Sequence, residues 1–329
     1  MKERSTEAMI VQALKDAQAA GVGEYVSGEE LARRTAITRA AIWKHIKNLK
    51  SRGYDIEAVR HQGYRLVATP DSLSPEQITP LLMGSPIGAN IVYRKTVDST
   101  NDLAKELAEK GAPEGTVVIA EEQTSGKGRL DRGWVSPPGG IWLSVILRPE
   151  TPLMEAARFT LLAAVAAAKT IEALGLMPEI KWPNDILLDG RKVSGILLEL
   201  NGQLGKVNYL VIGFGINANI DEDLLPPEIR AGATTLRACT SRIVDRRAIA
   251  VTLLTQLEDG YRQLTSGGWD AVLAEWTKRC RMIGRTVRLA TFHGNIDGEF
   301  TGIDEFGALV LRLPGGQLKT FSAGDVTLL

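Results

Sequence analysis

The sequence predicts an α+β protein built from three parts that differ in their local patterns. Residues 1–68 are basic and helix-rich, with two short extended runs at their end. Residues 76–265 alternate apolar strand-like runs with helices, which predicts a mixed sheet covered by helices. Residues 280–329 consist of short extended runs separated by turns, which predicts a small all-strand domain. A segment rich in proline and small polar residues, 68–75, separates the first two parts.

Composition indicates a globular protein with at least one substantial core, because 44% of the 329 residues are hydrophobic, 24% are charged and the net charge is zero. The N-terminus does not resemble a signal peptide, and the apolar segment 161–168 is too short to span a bilayer. Cys239 and Cys280 lie far apart and only three histidines occur, which argues against a Cys/His metal cage. We therefore expect a cytoplasmic protein with no membrane contact, in which any metal is Mg²⁺ carried by a nucleotide.

The zero net charge conceals a basic segment near the N-terminus. Between residues 33 and 65 there are nine lysines and arginines against two acids, Asp55 and Glu57. This asymmetry indicates a nucleic-acid contact confined to one end of the chain.

The same segment has the element order of a winged helix-turn-helix. Ser27 and Glu30 are spaced as a capping box, and Thr38 can cap the helix that follows a tight turn. That helix buries a stripe at i, i+4 and i+7. The predicted elements are helices at 6–19, 29–34 and 39–52, the stripe Ile42, Ile46 and Leu49, and a β-hairpin of 56–59 and 64–67.

Cationic side chains on the outer face of the third helix and at the hairpin tip are the candidate DNA contacts. They would mostly hold phosphates, which supply affinity and register rather than sequence choice. Trp43 lies near the helix start, where base edges would be met, and it either packs inward or meets DNA. The alternative is that this charged helix is only a solvated surface. The candidate DNA-binding residues are Arg39, Trp43, Lys44, Lys47 and Arg60.

The most informative segment is a loop, residues 121–134, between predicted strands at 116–120 and 141–147. It carries three glycines and three cations. Glycine lets the backbone approach a ligand closely, and the cations can neutralise carboxylate and phosphate oxygens. The spacing is not that of a Walker A loop, since Glu121 stands where its first glycine belongs. The pattern predicts an anion-binding loop, with a solvated surface loop as the alternative.

Two further strings carry polar residues at the ends of secondary structure. Ser99, Thr100 and Asn101 open a helix, where they either cap it or meet a polar ligand. The string 181–185 precedes a hairpin whose Asp189-Gly190 turn returns Lys192 beside the strand that starts near Asp185. The alternative for this hairpin is a structural salt bridge.

A glycine pair follows the predicted strand 207–212. Gly213 and Gly215 have the spacing of a dinucleotide fingerprint, but no convincing helix follows them, which argues against a Rossmann site. The alternative is that the glycines let the backbone approach a ligand closely, while the Asn217 side chain supplies an amide donor and acceptor.

Together these strings resemble those of biotin–protein ligases, in the same order along nearly the whole chain. They are Asp-Ser-Thr-Asn at 98–101, Gln123 with Gly-Lys-Gly-Arg at 126–129, Arg132 and Trp134, Lys-Trp-Pro-Asn-Asp at 181–185, Gly-Arg-Lys at 190–192 with Gly195, and Gly-Phe-Gly-Ile-Asn at 213–217. The chain is most similar to the bifunctional members, which add a DNA-binding domain and repress the biotin operon. The resemblance implies a winged helix-turn-helix domain at 1–68, a class II synthetase-like catalytic domain of the biotin/lipoate ligase type at 76–265 and an SH3-like barrel at 280–329.

The resemblance also implies roles for the matching residues. Lys192 would bridge the biotin carboxylate and the α-phosphate, Asp185 would orient or deprotonate the acceptor lysine, and with Arg129 these form the catalytic set. Residues 126–132 would order over biotin and the adenylate. The implied biotin-binding residues are Ser99, Thr100, Asn101, Gln123, Lys127, Gly128, Arg129, Lys192, Gly195, Gly213 and Gly215. The implied nucleotide-binding residues are Gly126, Lys127, Arg132, Trp134, Asn184, Lys192 and Asn217.

The implied reaction uses biotin, ATP and Mg²⁺ to form biotinoyl-5′-AMP, whose acyl group passes to a lysine of a biotin carboxyl carrier protein. The adenylate complex would dimerise on operator DNA. The alternatives are a lipoate-type ligase of the same fold and a biotin-sensing repressor without ligase activity. Two features differ from relatives: Lys127 stands where many of them carry arginine, and Leu130-Asp131 replaces a more basic or glycine pair found in some of them.

Overall fold

The computed structural model describes residues 6–19, 25–51, 53–82 and 84–329. It divides into two compact units, Met1–Ser72 and Leu73–Leu329. The first unit contains α1 (Thr6–Ala19), α2 (Gly28–Thr35), α3 (Arg39–Ser51), β1 (Asp55–Val59) and β2 (Gly63–Ala68).

The first unit is the predicted winged helix-turn-helix. The predicted stripe on α3 is buried and packs with side chains of α1, α2 and both strands, namely Ile10, Leu14, Leu31, Ile56 and Leu66. Ser27 Oγ accepts from the backbone N of Glu30 at 3.0 Å, which satisfies one free donor at the start of α2. The Glu30 carboxylate binds Arg33 and Arg34, whereas the capping box predicted that it would return to the helix start.

The hairpin is tied to the connection before α2 by a close backbone approach. Val26 and Tyr64 exchange backbone hydrogen bonds of 2.9 Å in both directions. Gly63 has a φ of 119°, and a Cβ there would lie 2.2 Å from the carbonyl oxygen of Val26. Glycine is therefore required where the wing meets the helical part.

The second unit contains the remaining elements in chain order. They are α4 (Pro75–Ile78), β3 (Asn90–Val97), α5 (Thr100–Glu109), β4 (Thr116–Gln123), β5 (Ile141–Leu147), α6 (Ala157–Glu172), β6 (Glu179–Lys181), β7 (Asp185–Leu188), β8 (Arg191–Gln203), β9 (Lys206–Ile216), α7 (Pro227–Arg230), α8 (Leu236–Thr240), α9 (Arg246–Thr265), α10 (Trp269–Arg279), β10 (Thr286–Thr291), β11 (Gly294–Ile303), β12 (Leu309–Arg312), β13 (Leu318–Phe321) and β14 (Asp325–Leu328).

A seven-stranded mixed sheet forms the centre of this unit, in the order β3-β4-β5-β9-β8-β7-β6. Only β3 and β4 run parallel; the other neighbours are antiparallel. Side chains alternate between faces, so that Val117 and Ile119 of β4 join the large core with α6 and α9, whereas Val118 packs with α5. The sheet is mixed and accompanied by helices, as the sequence predicted, and the helices cover both of its faces.

The C-terminal part is an antiparallel five-stranded sheet in the order β13-β12-β11-β10-β14. Its buried side chains, such as Val287 and Phe300, belong to the same core as α6 and α10. The rings of Trp276 and Phe300 lie 6.4 Å apart, which packs α10 against this sheet. The short extended runs predicted here are strands, and β14 is an additional strand that the pattern did not predict.

The glycine-rich end of β9 differs from the prediction. We expected the strand to end at Ile212, but β9 continues to Ile216 and pairs with β8 throughout. Gly213 and Gly215 therefore lie inside a central strand, where they allow side chains from other elements to approach the sheet closely. Among the described residues, no helix is long and apolar enough to cross a membrane.

Candidate functional site

One pocket in the second unit gathers polar and glycine residues from five strands, the start of α5 and the basic loop. Of the ligand-binding and catalytic residues predicted from the sequence, all except Gly126 and Asn217 line it. The lining consists of Ser99, Thr100, Asn101, Gln123, Lys127, Gly128, Arg129, Arg132, Gly133, Trp134, Asn184, Asp185, Lys192, Gly195, Ile196, Leu197, Gly213, Phe214, Gly215 and Asp325.

Hydrogen bonds fix the polar end of the pocket at the start of α5. Gln123 Oε1 accepts from the backbone N and the hydroxyl of Thr100 at 2.8 and 3.0 Å. Ser144, buried on β5, lies 2.8 Å from Thr100 Oγ1 and donates to Asn101 Oδ1 at 2.6 Å. Ser99 Oγ accepts from the backbone N of Asp102 at 3.4 Å and caps the helix. These side chains are held in place by each other, which favours recognition of a polar ligand head without rearrangement.

Gly213 is required at this end. A Cβ at Gly213 would lie 2.1 Å from Asn101 Oδ1, so any other residue would displace the Asn101 amide. Ser144 is the cross-strand partner of Gly213, and the hydroxyl and the glycine together define the space for Asn101.

Trp134 packs on a pair of glycines in the middle of the pocket. Gly195 and Gly215 face each other across β8 and β9. A Cβ at either position would lie 2.9 or 2.4 Å from the indole. Trp134 Nε1 is buried and has no hydrogen-bond partner within the described part of the chain. This atom faces Gly215, where a Cβ would lie 2.4 Å from Nε1, which accounts for its burial.

Lys192 and Asp185 meet at the hairpin as the sequence predicted. Lys192 Nζ lies 2.6 Å from Asp185 Oδ1 and 4.9 Å from the centroid of the Trp134 ring. Asp189 and Gly190 both have positive φ, at 48° and 74°, which produces the tight turn that brings β7 and β8 together. A cation held between a carboxylate and an aromatic face can transfer to a ligand anion with little movement.

The two arginines of the basic loop meet a carboxylate from the C-terminal sheet. Arg132 Nη1 lies 2.6 Å from Asp325 Oδ2, and Arg129 Nη1 lies 3.7 Å from Asp325 Oδ1. Arg129 also donates to the carbonyl of Gly324 at 3.3 Å and to Asn184 Oδ1 at 3.4 Å. Burial lowers the pKa of Arg129, against the opposing effect of Asp325 and Asp185.

Asp325 is a pocket residue that sequence reasoning missed. The sequence placed no candidate site residue within 280–329, but the start of β14 supplies a carboxylate to the pocket lining. Asp325 lies in a short extended run with no local motif, so only the tertiary fold reveals its position.

The structure does not bring Gly126 and Asn217 into the pocket lining. Gly126 is buried, and a Cβ there would lie 2.3 Å from the Trp134 carbonyl oxygen, so it shapes the loop. Asn217 Nδ2 donates to the carbonyl of Thr234 at 3.1 Å. Lys127 lines the pocket, but its Nζ lies 2.7 Å from Asp102 Oδ2 at the start of α5. Their contacts with a nucleotide remain predictions.

A second candidate surface lies on the first unit, where the start of α3 and the hairpin tip form a groove. Arg39, Trp43 and Arg60 line it. Trp43 is 60% exposed, so it points outward and not into the core. Lys47 Nζ lies 5.5 Å from the Trp43 ring, and Lys44 is also exposed. An aromatic ring among cations suits a nucleic-acid contact, which stays a prediction.

Three family models match the chain in the order of its parts. The model described as an HTH domain matches residues 8–65. The Biotin/lipoate A/B protein ligase family matches residues 93–217, and the Biotin protein ligase C terminal domain matches residues 282–329.

Two relatives match the chain over most of their length and most of its own. The chain is 40% identical to the Bifunctional ligase/repressor BirA of Bacillus spizizenii, over 91% of this chain and 93% of that protein. It is 33% identical to the protein of the same description from Escherichia coli, over 93% of this chain and 94% of that one. A solved structure, the biotin protein ligase from Aquifex aeolicus in complex with biotin and ATP, is 29% identical and superposes with a TM-score of 0.63 over 73% of this chain and 99% of that one.

Proposed function

Because this chain belongs to the family of bifunctional biotin ligase/repressors, we propose that its second unit activates biotin with ATP and transfers it to a carrier-protein lysine. We further propose that its first unit binds operator DNA and represses biotin genes. The observation that carries the enzymatic half is the ion pair of Lys192 and Asp185, 2.6 Å long, in the same pocket as the polar end at Thr100 and Asn101.

The chemistry requires charge neutralisation and exclusion of water, and no nucleophile from the enzyme. The biotin carboxylate attacks the α-phosphate of ATP, and pyrophosphate leaves with the electron pair of the broken P–O bond. The product, biotinoyl-5′-AMP, is a mixed anhydride with AMP as a good leaving group. The ε-amine of the acceptor lysine then attacks the carbonyl carbon, AMP departs and an amide forms.

The residue roles in this proposal follow from where each side chain lies. The Lys192 ammonium would leave Asp185 to bridge the biotin carboxylate and the α-phosphate, where it neutralises charge that develops in the transition state. Asp185, released from Lys192, would then be free to accept a proton from the acceptor amine. Gln123, Thr100 and Asn101 would bind the ureido head, since amide and hydroxyl groups match its donors and acceptors.

The nucleotide side of the pocket would be formed by the loop arginines and Trp134. Arg129 and Arg132 supply guanidinium groups suited to phosphate oxygens. The Trp134 ring, which packs on the glycine pair and lines the pocket, suits a contact with adenine. Closure of residues 126–132 over the adenylate would exclude water from an anhydride that hydrolyses readily.

Mg²⁺ would enter with ATP and neutralise part of the triphosphate charge. Among the described residues, no group of three or more His, Cys, Asp or Glu side chains is arranged around a common point. The pocket carboxylates Asp185 and Asp325 are each paired with a cation. We therefore propose that phosphate oxygens of ATP would supply most of the ligands of the Mg²⁺ ion.

The regulatory half rests on the exposed groove of the first unit. Arg39, Lys44, Lys47 and Arg60 would hold DNA phosphates, and Trp43 would lie against the duplex. We further propose that the adenylate-bound protein is a homodimer, which would place two such units on an inverted repeat. The free thiols of Cys239 and Cys280 fit a cytoplasmic location.

Biotin-dependent pyrophosphate–ATP exchange on the purified protein tests the enzymatic proposal. We expect exchange with biotin and none with lipoate, and then transfer of biotin to a purified carrier domain. Exchange supported by lipoate alone would assign the chain to the lipoate-type alternative. Biotin binding without any exchange would instead leave a sensor without ligase activity.

A further inference from the structure

A continuous set of ion pairs and hydrogen bonds runs behind the polar end of the pocket. Glu199 Oε2, on β8, accepts from Asn101 Nδ2 at 2.8 Å, and Glu199 Oε1 lies 2.5 Å from Lys105 Nζ. Lys105 Nζ also lies 3.0 Å from Asp102 Oδ1, and Lys127 Nζ lies 2.7 Å from Asp102 Oδ2. We call these five residues the α5 ladder. Its two ends, Asn101 and Lys127, line the pocket.

The ladder determines which way the Asn101 amide faces. The Asn101 side chain is buried, its Oδ1 accepts from Ser144, and its Nδ2 donates to Glu199 and, at 3.3 Å, to the carbonyl of Leu197. A flipped amide would place its oxygen against the Glu199 carboxylate and the Leu197 carbonyl. Glu199 therefore fixes the donor and acceptor pattern that Asn101 presents.

Charge is balanced along the ladder. Partial burial lowers the pKa of Lys105, but hydrogen bonds to Glu199 and Asp102 outweigh it, so that its pKa lies above the ordinary value. Partial burial raises the pKa of Asp102, but hydrogen bonds from Lys127 and Lys105 outweigh it and lower its pKa. Cations and carboxylates thus alternate from Lys127 to Glu199 at neutral pH.

We propose that Glu199 is a positioning residue for biotin: its carboxylate fixes the orientation in which the Asn101 amide faces the pocket. This inference rests on the proposed function, because it assigns biotin to the polar end of the pocket. The two donors contact different carboxylate oxygens, Asn101 at Oε2 and Lys105 at Oε1. Glutamine has a nitrogen donor in place of one of these oxygens, so in this side-chain position it can accept from only one of the two donors.

That difference gives a test by rescue. We expect Glu199→Gln to weaken biotin binding about tenfold, because its amide oxygen turns to the Lys105 ammonium and its NH₂ then faces Asn101. Lys105→Met alone should change the biotin Kd less than about threefold, since Glu199 still accepts from Asn101. In Lys105→Met/Glu199→Gln the glutamine oxygen is free to accept from Asn101, and the biotin Kd should return to within about threefold of wild type.

The measurements are biotin titrations by calorimetry and KM values for biotin and ATP in pyrophosphate exchange, all on the full-length chain. The KM for biotin should follow the calorimetric Kd, while the KM for ATP stays unchanged in all three variants. A Glu199→Gln affinity equal to wild type would overturn the inference, and so would a double variant no better than Glu199→Gln. Misfolding of a variant would lower its thermal unfolding midpoint and its maximal rate but would leave the KM for biotin of the folded fraction unchanged, so the KM for biotin still decides. If wild type itself fails to bind biotin, the proposed function fails instead.

Discussion

The ammonium of Lys192 lies 2.6 Å from the carboxylate of Asp185 and is stacked 4.9 Å from the Trp134 ring centroid. Two groups with different proposed roles are therefore paired with each other in the pocket. Arrival of a carboxylate or phosphate at Lys192 would release Asp185. We therefore expect ligand binding to separate this ion pair.

Lys192→Ala should lower the rate of biotin-dependent pyrophosphate exchange at least about 100-fold, because a charge that stabilises the transition state is lost. Lys110→Ala is the control, since Lys110 is an exposed lysine whose partner is Glu106 on the same helix. Circular dichroism and unfolding midpoints should match wild type in both variants. Exchange at the wild-type rate in a folded Lys192→Ala protein would remove Lys192 from the mechanism.

Arg129→Gly should release biotinoyl-AMP into solution and label lysines of bystander proteins. Arg129 is held by the Gly324 carbonyl, Asn184 and Asp325, so its loss opens the loop on the nucleotide side. The measurement is biotin incorporated into serum albumin, with Lys110→Ala in parallel. Equal albumin labelling by wild type and Arg129→Gly would refute the role of Arg129 in retention.

Asp325→Asn should raise the KM for ATP several-fold, in the range of about three- to tenfold, with the KM for biotin unchanged. Arg132 is largely exposed, and its ion pair with Asp325 is what aims it along the pocket. The matched control is Asp297→Asn, which breaks an ion pair with Arg288 in the same sheet but outside the pocket lining. An equal change in both variants would show that only the stability of the C-terminal sheet matters.

The stability contribution of Asp102 should depend on pH in a defined direction. Its folded-state pKa lies below the ordinary value of 3.8 because hydrogen bonds from Lys127 and Lys105 overcome partial burial. A lowered pKa means that the contribution is complete above the unfolded-state pKa and is lost as pH falls through the folded-state pKa. The difference in unfolding free energy between wild type and Asp102→Asn should therefore be constant from pH 8 to 6 and shrink towards pH 3. A difference that does not depend on pH would show that the ladder does not stabilise the charged carboxylate.

Binding of the first unit to DNA should fall steeply with salt. Lys44→Ala and Arg60→Ala should each reduce the slope of log K against log salt by about 0.9, which is the value per phosphate contact. Arg33→Ala is the control, because Arg33 is exposed but paired with Glu30. The probe is a duplex selected from random sequences, with biotin and ATP present. Deletion of residues 1–68 should abolish binding and leave adenylate formation intact. Slopes unchanged in both variants would place the DNA contact elsewhere.

The sequence predicted the winged helix-turn-helix because its signals are local. Cap residues, a buried stripe and a turn lie within a few positions of each other, and tertiary contacts are not needed to read them. The same holds for the approach of Lys192 to Asp185, which depends on the Asp189-Gly190 turn. The fold class and the order of the three parts follow from such local patterns.

Residues that enter through tertiary pairing could not be predicted in this way. Ser144, Glu199 and Asp325 lie in extended segments without a motif. Asp325 lines the pocket, and Ser144 and Glu199 contact lining residues from behind, only because β5, β8 and β14 pass beside it. The helices α9 and α10 were also not predicted from the sequence. Gly213 and Gly215 were recognised as important, but their place inside a central strand depends on the pairing of β9 with β8.

Because Trp134 packs on Gly195 and Gly215, the residue present at one of these three positions limits which substitutions the other two tolerate. An alanine at either glycine can be accepted only after the indole has been replaced by a smaller side chain, whereas loss of the indole first leaves both glycines free to change. The order in which these substitutions can accumulate is therefore constrained. We expect tryptophan at position 134 only in proteins that retain both glycines. In a library randomised at the three positions together, no active variant should combine tryptophan at position 134 with a residue larger than glycine at 195 or 215.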